Sequence, residues 1–292
     1  MTEKTIVAWD GSAPAGAALD WAVRLFAGGE FVIVRVLDES IGITDFFVAD
    51  SAAEAAQNAL EGAAERLRAA HPDIAVETEF VRGDPIGELR RLSGAGRLIV
   101  VGTHRREGSK LRFEWSVGAR LAASARGPVA IIPEDYGAAR AGVVVGVDGS
   151  AASDAAVSFA ARHAHRTRQP LRVMHAWQEP VLWQGPDIPD GGPPSEEFLR
   201  SLEEVHQQIL DEAVGVVADA WPDVQAQGRL AHGPAQSALL EAARGAELLV
   251  VGNHGVRGVE RLLLGSVSHS MVLNIVSPTI VVSAGRGNSE PG

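Results

Sequence analysis

Short apolar runs without polar alternation recur along the chain, separated by longer, Ala-rich stretches with apolar positions at helical spacing. In the first half, runs at 5–9, 31–37, 74–81, 98–102 and 129–132 predict strands. Stretches at 13–27, 52–70, 85–92 and 116–126 predict the helices between them. The second half predicts strands at 143–147, 171–177, 224–231, 248–252 and 279–283. Strands that are apolar on both faces need cover on both faces, and a helix between successive strands makes them parallel neighbours. Each half therefore reads as a doubly wound, Rossmann-like α/β domain, with a five-stranded parallel sheet and helices on both faces.

The two halves also repeat one another. Val7-Ala8-Trp9-Asp10-Gly11-Ser12 returns as Val145-Gly146-Val147-Asp148-Gly149-Ser150. Residues 98–104 return as 248–254, and 128–132 as 278–282, so the offset grows from 138 to 150. Three blocks in the same order mark an internal repeat rather than a chance likeness of two apolar strands. Two of the extra residues fall between the first helix and the next strand. The other ten fall around 180–194, where Gly191-Gly192-Pro193-Pro194 signals a loop. The expected domains are 1–137 and 142–285, joined near 136–142.

Composition narrows the function classes. A chain of 292 residues accommodates two domains of ordinary size. Its net charge of −11 argues against a nucleic-acid or anionic-membrane partner. The absence of cysteine removes disulfides, thiol nucleophiles and thiolate-bound metals. The first residues lack signal-peptide anatomy, and no apolar run approaches the ~18 residues of a membrane span. The expectation is a soluble, cytoplasmic protein.

In open parallel sheets, ligands bind beyond the carboxyl ends of strands where the strand order reverses. The repeated motifs fall in those loops: Asp148-Gly149-Ser150 after one strand, and Gly252-Asn253-His254-Gly255 after another. Gly265-Ser266 follows nine residues after Gly255, where the last helix is expected to begin. Glycines let backbone approach a phosphate, and a helix N-terminus offers N–H groups to an anion. The plain alternative is that the glycines make turns and Ser266 caps the helix.

The pattern Gly252-x2-Gly255-x9-Gly265-Ser266, after a strand and before a helix and together with Asp148, resembles the ATP-binding signature of the universal stress protein family. Two tandem copies would cover nearly the whole chain. The resemblance implies adenine held by Asp148 and the backbone of Ala176, with Gly149 and Ser150 in the same loop. Ribose and phosphates would lie along Gly252, Gly255, Gly265, Ser266, Val267 and Ser268, with His254 and Gly258 beside them. ATP is the implied cofactor, and Mg2+ would accompany it through phosphate oxygens and Ser266 or Ser268. The resemblance also implies edge pairing between 130–132 and 280–282, further homodimerisation, and a protein partner that the sequence does not name.

The copies differ. An offset of 150 puts Arg105 opposite Gly255 and Trp115 opposite Gly265, while Asp10, Gly102 and Ser116 remain. The second copy is therefore expected to bind ATP, and the first to bind it weakly, differently or not at all. A Walker lysine, a G-x-S-x-G elbow and an H-E-x-x-H helix are all missing from the sequence. No general base or arginine finger aims at a γ-phosphate, so turnover should be slow at most. The expected function is a nucleotide-dependent regulator of stress survival or dormancy. The alternatives are an adenylate-forming or nucleotidyl-transfer enzyme, and a nucleotide-free interaction scaffold.

Overall fold

The computed structural model describes residues 4–26, 29–38, 46–104, 117–136, 140–179, 195–254 and 264–283. The chain forms two compact units, one of Met1–Ala138 with Asn253–Gly292 and one of Ala139–Gly252. The first contains β1 (Lys4–Ala8), α1 (Ala13–Phe26), β2 (Glu30–Leu37), α2 (Phe46–Ala70), β3 (Val76–Arg82), α3 (Pro85–Leu92), β4 (Arg97–Thr103), α4 (Val117–Ser124) and β5 (Val129–Pro133). The second contains β6 (Val143–Val147), α5 (Ala151–Thr167), β7 (Leu171–Trp177), α6 (Glu196–Ala220), β8 (Ala226–His232), α7 (Ala235–Ala243) and most of β9 (Leu248–Asn253). The last elements, α8 (Ser266–Leu273) and β10 (Thr279–Ser283), belong to the first unit.

In the first unit β1 pairs in parallel with β2 and β4, β2 with β3, and β4 with β5. The chain runs outward from β1 to β3, returns to β4, and then continues the other way. With right-handed crossovers this places α1 and α2 on one face and α3 and α4 on the other. β10 adds an antiparallel edge, with Ile280 opposite Ala130. In the second unit β6 pairs in parallel with β7 and β9, and β7 with β8. Four of the five strands of the second half, β6 to β9, lie in the second unit, and the fifth, β10, groups with the first unit. β4 and β9 are almost fully buried from Leu98 to Val101 and from Leu248 to Val251, which accounts for their unbroken apolar sequence. Among the described residues, no helix is long and apolar enough to cross a membrane.

One close approach recurs in both units. A Cβ built on Gly102 would lie 2.1 Å from the carbonyl oxygen of Pro14, at the start of α1. A Cβ on Gly252 would lie 2.6 Å from the backbone of Ala152, at the start of α5. Only glycine lets each strand end meet backbone with backbone.

His163 and Glu247 form a buried titratable pair in the second unit. His163 Nδ1 accepts from Arg166 Nη2 at 3.2 Å, which leaves the ring proton on Nε2, 3.6 Å from Glu247 Oε1. Burial outweighs the carboxylate and holds His163 below the ordinary histidine range.

Two stability predictions follow from these contacts. Gly102→Ala and Gly252→Ala should each lower stability by about 1–3 kcal/mol, the usual cost of overpacking. Gly215→Ala, in α6 with open space around it, should raise stability by about 0.4–1 kcal/mol. Chemical denaturation of the three variants checks the opposite signs. For His163, the unfolded chain takes up a proton near pH 6.5 that the folded chain refuses, so stability should fall as pH drops through 6.5 and below. His163→Gln should flatten that part of the stability–pH curve in denaturant titrations.

Candidate functional site

The loop after β6 is built by its own side chains. Asp148 Oδ1 accepts from the Ser150 N–H at 3.1 Å and from the Ser150 hydroxyl at 2.6 Å. Ser150 is the N-cap of α5: its Oγ accepts from Ser153 N–H, and Ser153 Oγ accepts from Ser150 N–H, a reciprocal capping box. Gly149 has φ +78°, which suits glycine at the turn between them. The Ser150 hydroxyl is therefore committed to the turn and the cap, while Asp148 and Gly149 are exposed. The loop after β1 repeats the turn, with Ser12 N–H donating to Asp10 Oδ1 at 2.9 Å and Gly11 at φ +86°.

Ala176, half-buried near the end of β7, sits between two rings of a chain of imidazoles and indole. His175 Nδ1 lies 2.8 Å from the Val147 carbonyl oxygen, so that nitrogen carries the proton. His175 Nε2 then accepts from His206 Nδ1–H of α6, also at 2.8 Å. Trp177 stacks on His206 at 5.3 Å between centroids and meets His232 edge-on at 4.8 Å. Burial, then the neighbouring His175, lowers the pKa of His206 below the ordinary value. This bonding locks the end of β7 to the residue that precedes Asp148. Trp177 is buried in packing between β7, α6 and β8. Trp183 lies outside the described residues.

In the second unit, then, the ends of β6, β7 and β9 bring Asp148, Gly149, Ser150, Ala176 and Gly252 toward the first turn of α5. Gly252 is required there by α5 itself.

The remaining motif residues belong to the first unit or lie outside the described residues. Gly255 and Gly258 are among the latter, as are Arg257, Arg105 and Trp115. His254 is exposed. The buried amide of Asn253 donates to the Ala122 carbonyl oxygen at 3.3 Å and accepts from Gly265 N–H at 3.3 Å. It thereby pins the start of α8 to α4. Gly265, not Ser266, is the N-cap of α8, and no side chain caps it. The first intrahelical bond runs from His269 N–H to the Gly265 carbonyl, and among the described residues no partner bonds to the N–H groups of Ser266, Val267 and Ser268 in the first turn. Ser266 is exposed, whereas Ser268 is buried with its hydroxyl donating to the Gly265 carbonyl at 3.1 Å. The capping role read for Ser266 is thus corrected: Ser266 is the first helical residue. Among the described residues, no group of three or more acidic or histidine side chains is placed to hold a metal ion.

The sequence reading passed over Asn253 as a structural clamp and over His175 and His206 altogether. Asn253 carried a signal, since the first copy has Thr103 at that place. The histidine pair had none, because its members are 31 residues apart and meet only through the β7–α6 crossover.

Comparison with known proteins agrees with this architecture. The family model described as the universal stress protein family matches residues 1–133 and again 142–283. A universal stress protein of Mycolicibacterium smegmatis is 31% identical over 291 residues, spanning 95% of this chain and 96% of that one. A universal stress protein of Mycobacterium tuberculosis H37Rv is 34% identical over 207 residues, 70% of this chain and 64% of that one. The crystal structure of a universal stress protein from Archaeoglobus fulgidus superposes with a TM-score of 0.70 at 21% identity, covering 98% of this chain and all of that one. With its tandem Rossmann-like copies and two full family matches, the chain belongs to the universal stress protein family.

Proposed function

We propose that the second copy, residues 142–285, binds ATP and that the bound nucleotide regulates a cytoplasmic stress-survival or dormancy partner. The observation that carries this reading is the start of α8, where a glycine N-cap without a side-chain lid precedes exposed Ser266 and a first turn of unspent N–H donors. Such a turn favours phosphate by dipole and by hydrogen bonding together. In this reading Gly255, Gly258 and Gly265 keep the phosphate side free of side chains, with Gly252 and His254 beside them. Asp148, Gly149 and the Ala176 backbone take the base, where the His175–Val147 bond holds the loop in place. Mg2+ would be held by phosphate oxygens and the Ser266 hydroxyl. Ser268 contributes its N–H rather than its hydroxyl, which is already donated to Gly265.

Regulation in this reading is by occupancy, with at most slow ATP hydrolysis. The first copy, residues 1–137, serves in this reading as a partner domain, with the antiparallel β5–β10 edge as the intramolecular pairing. A homodimer of whole chains would form through other surfaces.

Two outcomes are expected. Native mass spectrometry of the purified protein should find ATP or another adenine nucleotide bound. Gly255→Glu should lose it, since a carboxylate would stand where phosphate approaches, and retention by that variant overturns the site. Phosphate release with added ATP should stay far below ordinary enzyme rates of about 10 per second, and turnover at that rate would favour an enzyme instead.

A further inference from the structure

The corresponding crevice of the first copy differs from the second in a way that its loop sequence does not explain. Thr5 pairs with Phe31 as Val143 pairs with Leu171, so Arg35 stands where the second copy has His175, and Trp9 where it has Val147. The histidine stops at the carbonyl of Val147, the last residue of β6. Arg35 reaches one residue further, and its Nη1 donates to the carbonyl oxygen of Asp10, in the loop itself, at 2.6 Å. Its guanidinium also lies over the indole of Trp9, 5.8 Å from the ring centroid.

Both groups converge on the loop glycine. A Cβ on Gly11 would find Arg35 Nη1 and Trp9 Cη2 each at 3.7 Å. At Gly149 the nearest atoms are instead the side-chain carbons of Ile209, which come from α6 and not from β7 or from the end of β6. The helices compensate in volume: an offset of 150 puts Ala56 and Ala59 of α2 opposite His206 and Ile209 of α6. Where the second copy carries His206 and Ile209, the first thus carries alanine at both positions.

We propose that Arg35 and Trp9 form a latch between the end of β2 and the loop after β1, and that this latch excludes a nucleobase from the first copy. The proposal rests on the nucleotide reading of the second copy, which assigns the base to the equivalent loop and strand end. A planar base entering between Val36 and Asp10 meets a guanidinium already bonded to the Asp10 carbonyl and stacked on an indole. The latch is also removable. Among the described residues it is held by one hydrogen bond and one ring contact, and the buried Arg35 Nε has no hydrogen-bond partner there. Taking it away deprives the core of little.

Photolabelling with 8-azidoadenosine, followed by peptide mapping, tests this on the full chain. The probe carries no phosphates, so Arg105 and Trp115, which stand in sequence where the phosphate motif has Gly255 and Gly265, do not decide the result. In the wild-type protein, label should fall on peptides containing Asp148 or Ala176 alone. In Trp9→Val/Arg35→His, which installs the residues of the second copy, peptides containing Asp10 or Val36 should label to a comparable extent, and excess adenosine should suppress the label in both copies. Arg35→Met repeats the test with the stem retained and the donors removed, should the double variant melt early by circular dichroism. Label on the first copy of the wild-type protein overturns the latch, as does a folded variant labelled only in the second copy. Absence of label from both copies in every chain overturns the nucleotide reading, and the latch with it.

Discussion

At Gly102 and Gly252 a strand end lies directly on the first turn of a helix, backbone on backbone, with no room for even one methyl group. That approach sets where α1 and α5 begin relative to the sheet, and so where the crevice loops can run. Each helix start is fixed in turn by a short loop that supplies its own polar partners: an aspartate accepting from a serine N–H two residues on, and a glycine at positive φ between them. The loops after β1 and β6 therefore hold their turns through their own side chains. Gly102 persists in the copy whose other two cradle glycines are replaced by Arg105 and Trp115. The packing constraint accounts for this, since Gly102 answers to α1 and not to a phosphate.

The copies diverge where side chains, rather than backbone, fill space. One strand position, occupied by Arg35 in one copy and His175 in the other, ties a neighbouring strand end to a carbonyl near the loop. The length of the side chain decides which carbonyl is reached. In the histidine copy His206 and Ile209 of α6 reach that strand end and loop, and an offset of 150 puts alanines at the equivalent positions of α2. Burying His175 beside the half-buried His206 costs desolvation, and the shared hydrogen bond offsets it only while one ring donates and the other accepts. Such pairing holds both tautomers in place and keeps His206 disinclined to take a proton.

Asn253 shows how one buried amide can organise a helix far from it in sequence. Its donor holds the end of α4 and its acceptor holds Gly265, twelve residues on, so α8 starts at a defined place without a capping side chain. Among the described residues, no group bonds to the N–H donors of that first turn.

The repeat, the α/β class, the strand and helix positions and the loops that line the crevice were legible from residue patterns. Several elements, including 85–92, 143–147 and 171–177, match the pattern to the residue. Apolar runs and helical periodicity are local signals, and a fold of alternating strands and helices is written mostly in local signals. The glycines were legible as residues that must lack a side chain, but not for what reason: that Gly252 answers to Ala152 depends on a contact one hundred residues away. The tertiary structure alone decided that Gly265 rather than Ser266 caps α8, and that Arg35 crosses to Asp10 where His175 stops at Val147. Each of these turns on which groups meet across long sequence separations, and side-chain reach and hydrogen-bond geometry settle that only once the chain has folded.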